Sequence, residues 1–211
     1  MNKTRIEAFS DGVIAILITI MVLELKVPQG TDLQALRPLL PVFLTYVLSF
    51  VFLGIYWNNH HHMLHLAGRI NGKILWANLH LLFWLSLIPF ATRWMGENHL
   101  APLPTAIYGG ILLLASLAYL LLQAAIVAHQ GKDSELREAV GRDLKGKLSS
   151  VSYVLGIVVA FSHPWVAVSV YVFVALIWLV PDSRIESRVS DQAGELPGLR
   201  TGRSTEEGRN G

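Results

Sequence analysis

The sequence contains no cysteine, and charged residues make up only 15% of its 211 positions. Without cysteine the chain can form neither disulfide bonds nor thiolate metal sites. Hydrophobic residues account for 53% of the chain, and the mean hydropathy is +0.47. This composition excludes an ordinary soluble domain and predicts a polytopic, all-α membrane protein.

Strong charge of one sign is also missing, because the formal net charge is only +2. Most basic residues lie in connecting segments and in the C-terminal region, so the charge gives no indication of a nucleic-acid partner. The first apolar run ends in LELKVPQG, which lacks a small-residue cleavage site. We therefore expect that run to remain in the mature protein as a membrane helix.

The apolar runs predict six transmembrane helices within residues 1–181, at about residues 6–26, 39–58, 74–94, 104–128, 146–161 and 164–180. Residues 148–181 are uncharged for 34 positions, which is too long for one crossing, and Ser162-His163-Pro164 offers a turn. Pro89 is expected to bend the third helix. From Asp182 onward the chain is polar, rich in glycine and free of aromatic residues, which predicts a disordered tail over residues 182–211.

The distribution of basic residues predicts the orientation. With six crossings both termini share one side of the membrane, and that side carries 14 of the 17 lysines and arginines. The opposite side carries Lys26, Arg37 and Arg93. By the positive-inside rule, both termini and the tail are expected to be cytoplasmic, and the protein to be a multi-pass protein of the cell membrane.

The first helix is unusual because it carries acids. The stretch from Arg5 to Leu25 contains Glu7, Asp11 and Glu24, and acids at such depth normally face protein or water on a functional path. When successive residues are placed about 100° apart, one face of the helix is formed by Phe9, Gly12, Ile16, Thr19 and Leu23. We call these five residues the α1 stripe. Ser10 and Asp11 point away from it, towards neighbouring helices.

Two alternatives stay open for the α1 stripe from spacing alone. The stripe is either a working face of the protein or the surface of a buried membrane helix in which the Thr19 hydroxyl bonds to its own backbone.

The N-terminal pattern RxxxFSDGVxAIxIT, followed by LEL, resembles the signature of the transmembrane protein 175 family of potassium channels in its single-repeat prokaryotic form. The matching positions are Arg5, Phe9, Ser10, Asp11, Gly12, Ala15, Ile16, Ile18 and Thr19. The resemblance implies a homotetramer in the lipid bilayer, with the first helices around a central pore and potassium as the permeant ion. It implies no other cofactor.

On this resemblance, Ile16 and Leu23 form apolar rings that act as the gate, and Thr19 forms a ring of hydroxyls that aids selectivity. No TVGYG-like loop occurs in the sequence, so the preference for potassium over sodium is expected to be modest. The resemblance also implies a polar network, whose candidate members are Arg5, Phe9, Ser10, Asp11, His60 or His61, Trp76 and Asn78.

Asp11 needs a partner if it is buried. Arg5 is the nearest base, but a separation of six residues does not bring the two side chains face to face on a helix. We therefore expect Asp11 to pair with a residue of another subunit, or with Trp76 and Asn78. The histidines His60, His61, His62 and His65 fall in a polar connection after the second predicted helix.

His61 and His65 are four residues apart, which would suit two metal ligands on one helical face. The adjacent stretch supplies no acid, so we predict hydrogen bonding and no metal site. His80 has no acid at helical spacing and is predicted to be a neutral, hydrogen-bonded side chain.

Two rival functions belong to other classes. A proton-coupled or small-solute transporter would use Asp11, Glu24 or His80 as the titrating group, but it would be expected to show repeated halves, which the sequence lacks. A membrane enzyme built on the histidines would need a nucleophile with a paired base, and none is evident. The sequence therefore favours a channel over a transporter or an enzyme.

Overall fold

The computed structural model describes residues 3–130 and 144–179, and all of its regular structure within those ranges is helical. A 3₁₀ turn over Leu33–Leu39 leads into the second helix. The α-helices are α1 Lys3–Leu23, α2 Leu40–His65, α3 Gly72–Ser86, α4 Ile88–Glu97, α5 Pro102–Gln130, α6 Leu144–Ala160 and α7 Pro164–Leu179. The predicted tail over residues 182–211 lies outside the described residues.

Within the described residues, four segments are long and apolar enough to cross a membrane. These are Lys3–Leu23, Leu33–His65, Gly72–Glu97, in which α3 and α4 form one span, and Pro102–Gln130. The all-helical class is thereby confirmed, and these four segments are candidate membrane spans. The helices α6 and α7 have 17 and 16 described residues, or about 25 Å each at 1.5 Å per residue, against a hydrocarbon core of about 30 Å. The fifth and sixth crossings stay predictions.

The second helix extends further than the sequence suggested. The sequence predicts a helix that ends at about residue 58 and a polar connection after it, but α2 continues to His65. Asn59 Nδ2 donates to the carbonyl oxygen of Ile55 at 2.8 Å, and Lys3 Nζ donates to the carbonyl oxygen of His65 at 2.6 Å. Because a helix leaves its last carbonyls without partners, the lysine stabilises this end of α2. The four histidines therefore have helical spacing.

The third span is interrupted at Leu87, where α3 ends and α4 begins. Pro89 lies at the start of α4 and has no backbone N–H to continue the hydrogen-bond ladder. The predicted bend at Pro89 is therefore confirmed as a short break in the helix.

The helix α5 lies at the centre of the bundle and packs against α3, α4, α6 and α7. Tyr171 of α7 fills the space next to two glycines, Gly109 of α5 and Gly156 of α6. Its ring is fully buried, and its hydroxyl donates to the carbonyl oxygen of Thr105 at 3.3 Å. Gly109 and Gly110 are adjacent small residues of the kind that allow close helix contact in membranes. Only Gly109 does so within the described residues, because nothing lies within 4 Å of a Cβ built at Gly110.

We expect Gly109→Ala to destabilise the protein, because its Cβ would overlap the Tyr171 hydroxyl oxygen and lie 2.6 Å from the Tyr171 Cζ atom. Overpacking a tight contact costs about 1–3 kcal/mol. The midpoint of thermal unfolding of the purified protein measures this loss. Gly110→Ala, which changes the next residue of the same helix in open space, is the matched control and should leave the midpoint unchanged or raise it. Equal midpoints for the two variants would contradict the contact.

Candidate functional site

The α1 stripe is exposed along its whole length in the single chain. Phe9, Ile16 and Leu23 have exposed fractions of 54%, 56% and 80%, and Gly12 and Thr19 between them are exposed as well. The opposite side of α1 packs into the bundle through the buried residues Ile6, Ser10, Ile14, Leu17 and Met21. A continuous exposed apolar face of this length faces either lipid or other copies of the chain.

Thr19 is the polar member of the stripe between the two large aliphatic residues. Its Oγ1 donates within its own helix, with the carbonyl oxygens of Ala15 and Ile16 both 3.0 Å away. This is the backbone-bonded arrangement that the spacing left open. A hydroxyl has one hydrogen and two lone pairs, so a donated hydrogen leaves the oxygen able to accept. Thr19 can therefore present oxygen to a cation at the exposed face.

A buried chain of side-chain hydrogen bonds holds the back of α1. Asn78 Nδ2 of α3 donates to Ser10 Oγ at 3.0 Å, and His60 Nε2 of α2 donates to Asn78 Oδ1 at 2.7 Å. All three residues are at most 1% exposed. Because the amide oxygen can only accept, the hydrogen of the neutral imidazole is on Nε2. The structure thus brings Ser10, His60 and Asn78 together and joins three helices.

Asp11 has a partner that the sequence did not indicate. Trp57 Nε1 of α2 donates to Asp11 Oδ1 at 3.0 Å, and Asp11 is only partly buried. The indole of Trp57 stacks on His61, with ring centroids 6.3 Å apart and planes at 27°. Because α2 continues to His65, Trp57 lies about two turns inside the helix.

Other expected members of the polar network lie elsewhere. Arg5 and Trp76 are exposed, Trp76 at 75%, and in the part of the chain that the structure describes neither bonds to Asp11. Within one chain Trp57 bonds the Asp11 carboxylate and Asn78 bonds Ser10, and a pairing of Asp11 between subunits stays a prediction. His61 is exposed and stacks on His65, so His60 is the histidine that joins Ser10 and Asn78.

Both ends of α1 are tied to neighbouring helices by charge. At its start, Lys3 lies 3.8 Å from Glu7 and reaches the end of α2. After its other end, Glu24 pairs with Arg93 of α4. Arg93 also lies 3.4 Å from Glu97, which in turn pairs with Lys26 at 2.8 Å. Exposed ion pairs are individually weak, but a connected set of four charges holds α1 in register with α4.

The remaining histidines show no metal geometry in the described ranges, 3–130 and 144–179, where no group of three or more potential ligands occurs. His61 and His65 stack with centroids 6.3 Å apart. Trp84 Nε1 donates to His80 Nε2 at 2.9 Å, which confirms that His80 is hydrogen-bonded. Its neutral state stays a prediction.

Comparison with known proteins identifies the family of this chain. Residues 5–89, which contain α1 to the start of α4, match the family model of the endosomal/lysosomal potassium channel TMEM175. A protein named as a potassium channel from Chryseobacterium sp. (strain P1-3) is 53% identical over 191 residues, which is 90% of this chain and all of that protein. A human protein named endosomal/lysosomal proton channel TMEM175 is 35% identical over 39% of this chain and 19% of its own length.

A solved structure agrees with these sequence matches. The crystal structure of a lysosomal potassium-selective channel TMEM175 homolog from Chamaesiphon minutus superposes with a TM-score of 0.74 and 28% identity, over 85% of this chain and 97% of that one. The sequence match extends over the full length of the Chryseobacterium relative and includes the α1 stripe and its supporting residues. This chain belongs to the TMEM175 family.

Proposed function

We propose that the chain is one subunit of a passive potassium channel of the cell membrane, modestly selective for potassium over sodium. The observation that carries the proposal is the exposed α1 stripe, on the helix whose sequence matches a family with members named as potassium channels. Potassium is the permeant ion, no further cofactor is required, and no enzymatic activity is proposed.

The pathway needs several copies of the chain, because each chain supplies one α1 stripe. A single helix cannot enclose a pore, and closed cyclic symmetry is the usual way for identical subunits to do so. We propose a homotetramer in which the four α1 helices surround the axis. This arrangement would also cover the large exposed side chains Phe9, Ile16 and Leu23.

The stripe suggests a division of roles along the pore. Rings of Ile16 and Leu23 would be apolar constrictions that close the path by excluding water. Between them, a ring of Thr19 oxygens would replace part of the hydration shell of a potassium ion. Hydroxyls on side chains form a less rigid set of ligands than a ring of backbone carbonyls, so modest selectivity is the expected result.

The proposed topology has six crossings and cytoplasmic termini. It rests on the excess of basic residues on one side, 14 of 17, and on the short apolar helices α6 and α7 as the fifth and sixth crossings. On this topology the Lys3–Glu7 pair lies at the cytoplasmic end of α1. The Glu24–Arg93–Glu97–Lys26 cluster lies at the opposite end.

A proton-coupled or small-solute transporter is the alternative. One observation favours it, namely the break at Leu87 in the third span, since transporters often use interrupted helices. Against it, Glu24 is engaged by Arg93, and His80 accepts a hydrogen bond from Trp84. The dependence of flux on a proton gradient distinguishes the two functions.

The first test is flux into liposomes that contain the purified protein, measured for potassium and for sodium. Wild type should pass potassium faster than sodium without a proton gradient. Thr19→Ala should retain flux but lose part of the preference, because the hydroxyl oxygen at the exposed face is removed. Ser169→Ala is the matched control, since the Ser169 hydroxyl is also exposed and also bonds its own helix backbone, to Trp165 at 3.0 Å.

One result would contradict the channel, and another would contradict the role of Thr19. Flux that appears only with a proton gradient would favour the transporter, with Asp11 and Glu24 as the groups to test. An unchanged ion preference in Thr19→Ala, beside normal passive flux, would remove the role of Thr19 and leave the channel in place.

The gate is tested by Ile16→Ala in the same liposomes. A smaller, less apolar ring should hold water more readily, so resting potassium flux should rise several-fold over wild type. Ile107→Ala is the control, because Ile107 is also an exposed isoleucine, at 39%, but lies on α5. A rise of equal size in both variants would indicate general leakiness and would count against Ile16 as a gate.

The variant Asn78→Ala tests whether the hydrogen bonds among His60, Asn78 and Ser10 support α1. The substitution removes both hydrogen bonds of the amide and leaves His60 and Ser10 without their buried partner, which costs about 1–3 kcal/mol for each unsatisfied group. We expect a lower thermal midpoint and a smaller tetrameric fraction by size-exclusion chromatography with light scattering. Asn98→Ala, at an exposed asparagine whose side chain donates to the carbonyl oxygen of Trp94, should keep both values near wild type. Equal behaviour of the two variants would show that the bond chain does not support α1.

A further inference from the structure

Arg5 continues the line of the α1 stripe beyond Phe9. At about 100° per residue, Arg5 falls within about 20° of Ile16 around the helix axis. At 1.5 Å per residue it lies about 6 Å beyond Phe9, towards the start of the helix. Arg5 is exposed in the subunit, as the stripe is. The exposed face of α1 therefore begins with a positive charge.

Lys3, the other basic residue of α1, lies on a different side of the helix. The same spacing places Lys3 about 140° from Ile16. Its Nζ lies 3.8 Å from a carboxylate oxygen of Glu7 and donates to the carbonyl oxygen of His65 at 2.6 Å. Lys3 thus joins α1 to α2, whereas Arg5 lies on the exposed face.

The charge of Arg5 is not neutralised within the subunit. In residues 3–130 and 144–179, none of the ion pairs includes Arg5. Glu7 lies beside Lys3, and the Asp11 carboxylate accepts a hydrogen bond from Trp57 Nε1 at 3.0 Å. The first turn of α1 contains no acid. Because the start of a helix carries a partial positive charge of its own, Arg5 adds to a positive field there.

The two ends of α1 differ in charge. Just beyond the opposite end, Glu24 pairs with Arg93, and Lys26 pairs with Glu97 at 2.8 Å. The formal charges of these two acids and two bases cancel. A pore lined by α1 would therefore have a positive ring at one mouth and a neutral set of charges at the other. Cation channels usually carry rings of acids, which concentrate cations, whereas a ring of arginines repels them.

We propose that Arg5 makes conduction unequal in the two directions, because a ring of Arg5 side chains lowers the local concentration of potassium at the mouth where α1 begins. The inference rests on the proposed homotetrameric channel and adds to it a residue that controls the direction of flow. Potassium that enters at the opposite mouth does not meet this ring first. On the proposed topology the Arg5 mouth is cytoplasmic, so outward current is the smaller one.

The test is single-channel recording of the full chain in a planar bilayer, with equal KCl on both sides. Wild type should pass unequal currents at opposite voltages in about 0.01 M KCl and nearly equal currents in about 1 M KCl, because the Debye length falls from about 30 Å to about 3 Å. Arg5→Gln should raise the smaller current about twofold in the dilute salt, where charge is least screened. Arg5→Lys, which keeps the charge, should behave like wild type.

Arg69→Gln is the matched control for loss of one positive charge per subunit. Arg69 is exposed in the connection between α2 and α3, off the α1 stripe. The ratio of the two currents should stay near that of wild type. An effect as large as that of Arg5→Gln would show that general surface charge, and not the ring, makes the currents unequal, and would overturn the proposal.

The absence of cysteine allows a second measurement, because Arg5→Cys introduces the one thiol of the chain. Two methanethiosulfonate reagents, one carrying a sulfonatoethyl group and one a trimethylammonioethyl group, each form a mixed disulfide with this thiol and release methanesulfinate. The anionic group should raise the current that enters at this mouth, and the cationic group should lower it. Both reagents act on the same variant, so this comparison holds even where Arg5→Gln does not assemble.

Failure of this inference is distinguishable from failure of the channel. Equal wild-type currents in both directions in the dilute salt would overturn the inference alone, and would indicate that Arg5 is paired with an acid of a neighbouring subunit. The same effect from both reagents would also overturn it, because size and not charge would then be responsible. Absence of any potassium current in wild type would contradict the proposed channel, and this inference with it.

Discussion

The hydrogen bonds from His60 through Asn78 to Ser10 determine how α1 is oriented in the subunit. Ser10 lies about 120° around the helix from Ile16, so bonding Ser10 into the bundle turns Ile16 outward. The polar groups are buried where water cannot compete, and each of the two bonds satisfies a group that would otherwise be left without a partner. The exposed α1 stripe is thus a geometric consequence of a contact on the opposite face.

This contact is reinforced by bonds near both ends of α1. Trp57 holds Asp11 one residue after Ser10, and Lys3 joins the first turn of α1 to the last carbonyl of α2. Beyond the other end, Glu24 and Lys26 bind Arg93 and Glu97 of α4. A helix bonded at its back and clamped at its ends can present one face to a symmetry axis without rotating.

The helices α6 and α7 pack against α5, which also contacts α3 and α4. The close contact of Gly109 and Gly156 with Tyr171 locks α5, α6 and α7 together. A cleft lined by Tyr56 and Tyr153 lies between α2, α5, α6 and α7. Tyr56, which lines the cleft, and Trp57, which bonds Asp11, are adjacent residues of α2.

The sequence by itself determined the helical class, the apolar spans and the five residues of the α1 stripe, because hydrophobic runs and a period of 3.6 residues are local properties. It also indicated that Ser10, Asn78 and a histidine would meet, through resemblance to a family. Tertiary structure decided which partner each polar group takes. The choice of His60 over His61, and of Trp57 over Trp76, depends on the continuation of α2 to His65 and on the rotation of α2 against α1 and α3. Such choices rest on distances between helices, which no pattern along one helix contains.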